Sequence, residues 1–122
     1  MQNYYHLEQL GNSLIVRLHG ELDLQWTDQL RESLEEKLKK PEIKNLLINW
    51  SELSYLDSSG LGVLLGRYKS LAGRKGRVFL IGAKPHIRRL LELSGLFRIM
   101  EEAADEKSVL TALKEAGNGS DQ

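Results

Sequence analysis

The chain has 122 residues, with 17 basic and 17 acidic side chains and no cysteine. This length favours one domain that folds without a metal or a disulfide. The missing cysteines exclude thiolate metal sites, and the balanced charge gives no reason to expect nucleic acid as a partner. No apolar run approaches the roughly 20 residues of a membrane span, and the first residues lack a signal-peptide pattern. We therefore expect a cytoplasmic protein without a cofactor or a membrane.

The first predicted elements are two strands and a helix. Apolar and polar residues alternate over Leu14–His19, which predicts a strand, and a weaker strand near Tyr5–Leu10 precedes it. From about Trp26 the leucines recur every four residues, which predicts an amphipathic helix. Pro41 is expected to end this helix, because proline cannot continue it.

The second half alternates strands and helices. Residues 51–56, which follow an apolar run at 46–50, are expected to form a loop. Asp105 is expected to cap the last helix. The other predicted elements are strands at 46–50, 78–81 and 99–100, and helices over 58–72, from Pro85 to Gly95, and after Asp105 with Val109, Ala112, Leu113 and Ala116 facing inward.

This order predicts an α/β fold with a mixed, mostly parallel sheet and about four helices. We expect one domain over residues 1–116. Residues 117–122 are small and polar, which predicts a disordered tail.

Asp57, Ser58 and Ser59 stand at the start of the second helix. Asp57 is a good N-cap, because its carboxylate can accept from the amide of Ser59 or Gly60. Ser58 would then be the first helical residue, with its hydroxyl pointing outward. Residue types alone favour plain cap residues. A phosphate on Ser58 would lie at free amides at the positive end of the helix, adding a charge of about −1.5 to −2 without unfolding the domain.

Two glycines, Gly62 and Gly66, lie one turn apart inside this helix. Each costs about 0.5–1 kcal/mol relative to alanine, so a compensating reason is expected. The reason is either close packing against another element of the domain or a smooth face for a partner. The core face of the helix is predicted at Leu61, Leu64, Leu65, Tyr68, Leu71 and Ala72.

A second cluster, Gly20-Glu21-Leu22-Asp23, is expected to form the turn before the first helix. Its acids are either favourable neighbours of a helix N-terminus or partner contacts beside Ser58. Trp26 follows closely and is either a packing anchor or a partner contact.

Other chemistry finds little support. Gly60–Gly66 resembles a dinucleotide fingerprint but has one residue too many between its last glycines. The three histidines are scattered, without metal-ligand spacing. A domain that binds or hydrolyses a nucleotide at the Gly60–Gly66 helix start remains the second hypothesis.

The segment from Leu56 to Lys69 resembles the phosphorylation segment of the STAS family (sulfate transporter and anti-sigma factor antagonist), and is most similar to its sporulation members. The resemblance runs from about Tyr4 to Ala116. Three further segments carry it, namely Gly20–Asp23, Leu93–Phe97 and Ala104–Glu106.

The resemblance implies a single STAS domain with helices mainly on one side of the sheet, and a regulator that is not an enzyme. It implies that Ser58, not Ser59, accepts phosphate. The unphosphorylated protein would bind an anti-sigma factor serine kinase and release the sigma factor, and a metal-dependent protein phosphatase would restore it. A STAS subunit of a transporter is a third possibility. The predicted partner contacts are Glu21, Asp23, Asp57, Ser59, Gly62 and Gly66.

Overall fold

The computed structural model describes residues 4–22 and 24–120. Within these residues the chain forms five strands, four α-helices and a short 3₁₀ turn at Leu96–Arg98. The strands are β1 (Tyr4–Leu10), β2 (Ser13–Leu22), β3 (Asn45–Leu56), β4 (Arg77–Ile81) and β5 (Glu101–Ala103). The helices are α1 (Leu24–Leu38), α2 (Ser58–Ala72), α3 (Pro85–Leu93) and α4 (Glu106–Ser120).

The five strands form one sheet in the order β1-β2-β3-β4-β5. β1 is antiparallel to β2, and every later pair is parallel. The first pair is joined by a tight turn at Gly11, whereas each parallel pair needs a helical crossover. The predicted mixed and mostly parallel α/β fold is confirmed.

Alternate residues of the central strands face two cores, because side chains along a strand point to opposite faces. The larger core lies under α1, α2 and α3 and includes Val16, Ile48 and Leu80. The smaller core joins Ile15, Leu47 and Phe79 to Val109 of α4. Three helices therefore cover one face and α4 covers the other, as expected from helices packed mainly on one side.

Strand β3 is longer than predicted, because it continues through residues 51–56 instead of ending in a loop. Its pairing with β2 shifts register between Arg17 and His19 and again between Gly20 and Glu21. These irregularities disturb the period of two by which a strand is recognised in the sequence. The expected turn at Gly20–Asp23 is also wrong, because β2 runs through Leu22.

The last elements depart from prediction in three details. The edge strand is Glu101–Ala103 rather than Ile99-Met100. On α4, Val109 is buried and Leu113 is half-buried, but Ala112 and Ala116 are exposed. The helix also continues to Ser120, into the segment expected to be disordered. The cap is as predicted, since the Ser108 amide donates to Asp105 Oδ1 at 2.8 Å.

Candidate functional site

The connection between β3 and α2 is the single residue Asp57. Its backbone is extended, with φ −108° and ψ 179°, and its Oδ1 accepts from the amides of Ser59 at 3.0 Å and Gly60 at 3.2 Å. The predicted N-cap is therefore confirmed. Asp57 fixes the direction in which the first turn of α2 leaves the sheet.

The two serines of this turn have different surroundings. Ser58 is the first residue of α2 and is exposed, as predicted. Ser59 is half-buried, and its hydroxyl donates to Asp57 Oδ1 at 2.5 Å. Ser58 therefore presents its side chain to solvent, whereas the Ser59 hydroxyl is used inside the turn.

The expectation that free amides would receive a phosphate on Ser58 is wrong for three amides of the first turn. The amides of Ser59 and Gly60 already donate to Asp57, and the Leu61 amide donates to the Asp57 carbonyl oxygen at 3.3 Å. A phosphate on Ser58 would thus be added beside a carboxylate that already holds the helix end. Its dominant effect is added negative charge on the surface.

The Gly20–Leu22 segment lies against this turn. The Asp57 amide donates to the Leu22 carbonyl oxygen at 3.3 Å, and Ser54 Oγ donates to the Gly20 carbonyl oxygen at 2.9 Å. Glu21 is exposed at the carboxyl end of β2 and is in register with Tyr55. The two motifs are therefore neighbours, whereas Asp23 lies outside the described residues.

Gly62 and Gly66 do not make the close packing that was one explanation for them. A Cβ atom added at either position would meet no heavy atom within 4 Å. Gly62 is exposed and Gly66 is half-exposed, so the close-packing explanation is wrong and the partner-facing one stays a prediction. The spacing of three and four residues places them on one side of α2, which we call the α2 outer face, with Ser58, Leu65 and Lys69.

Two large side chains near this face were not identified from the sequence. Tyr55 is 48% exposed, and it was missed because residues 51–56 were expected to be a loop. Leu65 is 37% exposed, although its spacing assigned it to the core, and Ala72 is exposed as well. The other predicted core positions, Leu61, Leu64, Tyr68 and Leu71, do pack inward. An exposed leucine on the α2 outer face and an exposed tyrosine three residues before Ser58 suit a surface that a protein partner covers.

Trp26 packs against the main core and is half-buried, which supports the packing alternative. It also lines a small cavity together with Tyr5, Leu18 and Glu21. The Tyr5 hydroxyl shares a hydrogen bond of 2.6 Å with Ser33 Oγ of α1. The indole ring therefore belongs to the packing between β1, β2 and α1.

Within residues 4–22 and 24–120, no group of three or more histidine, aspartate or glutamate side chains could hold a metal ion. None of the helices described there is long and apolar enough to cross a membrane.

The model of the STAS domain family matches residues 4–112. The chain belongs to the STAS domain family. It is 40% identical over 101 residues to the anti-sigma F factor antagonist of Paenibacillus polymyxa, covering 83% of this chain and 86% of that one. The sequence resemblance is thereby confirmed, and this relative is named for a regulatory binding function, not for catalysis.

Two solved structures have the same fold. The Bacillus cell fate determinant SpoIIAA in its phosphorylated form matches with a TM-score of 0.74 and 30% identity, covering 89% of this chain and 99% of that one. The anti-sigma factor antagonist SpoIIAA in its unphosphorylated form matches with a TM-score of 0.76 and 24% identity, covering 92% and 98%. This STAS domain thus resembles both forms to a similar degree.

Proposed function

We propose that this STAS domain is an anti-sigma factor antagonist whose binding is switched off by phosphorylation of Ser58. The observation that carries the proposal is the exposed Ser58 hydroxyl at the first position of α2, on the same side of the helix as Gly62 and Gly66. The anti-sigma factor would cover the α2 outer face and the nearby Tyr55 and Glu21. A phosphate would then lie inside the contact area.

The phosphate would act locally. It adds about two negative charges next to the Asp57 carboxylate and near the end of β2, where Glu21 is exposed. Like charges brought together in an interface cost several kcal/mol, and a partner fitted to the hydroxyl would also be crowded. The phosphorylated and the unphosphorylated SpoIIAA both have the fold of this chain, which favours a switch without refolding.

We propose that the anti-sigma factor is also the serine kinase, using ATP, and that a metal-dependent phosphatase restores the hydroxyl. We place the protein in the cytoplasm and in sporulation, following the Paenibacillus relative named for sigma F. Asp57, Ser59, Glu21 and Asp23 remain predicted contacts with the partner.

The test compares wild type, Ser58→Ala and Ser58→Asp for binding to the anti-sigma factor of the same organism by calorimetry. Ser58→Ala should bind like the unphosphorylated wild type and should not be inactivated by kinase and ATP. Ser58→Asp should bind at least about tenfold more weakly, because its carboxylate puts a negative charge inside the contact area. A tenfold loss of affinity corresponds to about 1.4 kcal/mol. Thr111→Asp, on an exposed position of α4, is the matched charge control. Equal binding by both Ser58 variants would refute the switch.

The nucleotide hypothesis loses its structural basis. A phosphate cradle at the start of α2 needs free amides, and those of Ser59 and Gly60 are held by Asp57. Incubating the pure protein with ATP alone distinguishes the two ideas. Nucleotide hydrolysis without the kinase would favour an enzyme, whereas phosphorylation only with the kinase favours a substrate.

A further inference from the structure

A kinase that reaches the start of α2 meets two neighbouring serines, either of which could accept a phosphoryl group. Ser58 and Ser59 are adjacent, and both carry a primary hydroxyl. A kinase that binds the turn therefore needs a reason to modify one and not the other. The difference that the structure offers is the hydrogen bond between Ser59 Oγ and Asp57 Oδ1.

We propose that Asp57 determines the site of phosphorylation by holding the Ser59 hydroxyl out of reach, so that Ser58 alone accepts the phosphoryl group. This inference rests on the proposed function, because it concerns the same modification. It assigns to Asp57 a positioning role in the substrate, separate from contact with the partner.

The geometry explains why a hydroxyl held in this way is a poor acceptor. In the transfer, the serine oxygen forms a bond to the γ-phosphorus of ATP, the bond from that phosphorus to the bridging oxygen breaks, and ADP leaves with its electron pair. The hydroxyl proton passes to a base of the kinase. The Ser59 hydroxyl already donates to Asp57 Oδ1, with 2.5 Å between the two oxygens, so a kinase base would have to displace this carboxylate before it could accept the proton.

The Asp57 carboxylate is itself fixed, which makes the restraint on Ser59 effective. The same Oδ1 accepts from the amides of Ser59 and Gly60. The Asp57 amide in turn donates to Leu22 on β2. Turning Ser59 outward would therefore break a hydrogen bond to a charged group, which is stronger than one between neutral groups. Ser58 is exposed, and within residues 4–22 and 24–120 no side-chain hydrogen bond restrains its hydroxyl.

The experiment maps phosphate by tandem mass spectrometry after incubation with the anti-sigma factor kinase of the same organism and ATP. The variants are Ser58→Ala, Asp57→Ala, and Ser58→Ala combined with either Asp57→Ala or Asp57→Asn. Asparagine is the matched control, because its side-chain oxygen can still cap the helix and accept from Ser59.

We expect no phosphate on Ser58→Ala and phosphate on Ser59 once Asp57→Ala is added. The asparagine version should stay largely unmodified, and Asp57→Ala alone should carry phosphate on both serines. A purely structural role of Asp57 would change the rate but not the site. Helix content from circular dichroism separates loss of fold from loss of selection.

Three results would overturn the inference. The first is phosphate on Ser59 in Ser58→Ala with Asp57 intact. The second is Asp57→Ala modified at Ser58 alone, since burial would then protect Ser59. The third is a folded Asp57→Ala chain with no phosphate, since Asp57 would then serve kinase recognition. By contrast, a wild-type chain without phosphate on Ser58 would refute the proposed switch itself.

Discussion

Leu22 and Leu56 are in register at the last pair of β2 and β3, and both side chains crowd the space beside Gly60. A Cβ atom at Gly60 would lie 2.6 Å from Leu56 Cδ1 and 3.0 Å from Leu22 Cδ2. Both leucines are buried. The glycine therefore lets the first turn of α2 approach the ends of the two strands that carry the site.

Gly60→Ala should destabilise the domain by about 1–3 kcal/mol, because the added methyl group overpacks a buried contact. Gly62→Ala is the matched control on the same helix. It meets open space, so it should raise stability by about 0.5–1 kcal/mol through lower backbone entropy of the unfolded chain. Urea unfolding of the wild type and of both variants measures these changes in the free energy of unfolding. Equal effects of the two changes would contradict the packing at Gly60.

Gly66→Leu should leave the fold intact, because Gly66 is half-exposed and a Cβ atom added there would meet no heavy atom within 4 Å. It should weaken binding to the anti-sigma factor by about tenfold or more if a partner lies flat on the α2 outer face, since a mismatch in a packed interface costs a few kcal/mol. Ala112→Leu, exposed on α4 across the sheet, is the control. Unchanged affinity for the Gly66 variant would remove this face from the interface.

Glu106, the first residue of α4, accepts hydrogen bonds from side chains of β2 and β3. Arg17 Nε donates to Glu106 Oε2 at 2.9 Å and Arg17 Nη2 to Oε1 at 2.7 Å, while Asn49 Nδ2 donates to Oε2 at 2.7 Å. The hydrogen bond from Arg17 holds the pKa of Glu106 below its ordinary value, and that from Asn49 adds to this. The pKa of Glu106 is lower in the folded protein than in the unfolded chain. The stabilisation that its carboxylate provides is therefore complete above the unfolded-state pKa and is lost as the pH falls through the folded-state pKa.

Glu106→Gln should therefore cost about 1–3 kcal/mol at neutral pH and reduce the loss of stability in acid. Glu101→Gln is the control, because its ion pair with Arg77 is about half-exposed on both sides and should be worth at most about 1 kcal/mol. Urea unfolding at neutral and acidic pH measures both. An equal effect of the two variants would show that the Glu106 cluster is no stronger than a surface pair.

Gly76→Ala should be the most destabilising of the glycine changes. Its Cβ would overlap the Lys44 carbonyl oxygen and come within 3.0 Å of the Leu71 carbonyl oxygen. Both are backbone atoms that hold the entry to β4, since the Gly76 amide donates to Leu71 and the Arg77 amide to Lys44. A Tm within about one degree of wild type would contradict this close approach; the expected drop is several degrees for a domain of this size.

The sequence by itself determined the α/β order, the bounds of α2 and the cap at Asp57. These depend on local periodicity and on hydrogen bonds between residues close in the chain, so they are visible in a short window. Ser58 was also found this way, as the first residue after a cap, although resemblance to a family was needed to favour it over Ser59.

Only the tertiary structure decided which surfaces are free. Whether Gly62 and Gly66 face a neighbour or open space depends on where α1 and the sheet lie, and helical spacing alone placed Leu65 in the core. The extension of β3 through Tyr55 depends on pairing with β2 across two register shifts. The hydrogen bond that distinguishes Ser59 from Ser58 required side-chain positions, because both residues have the same donor and acceptor groups.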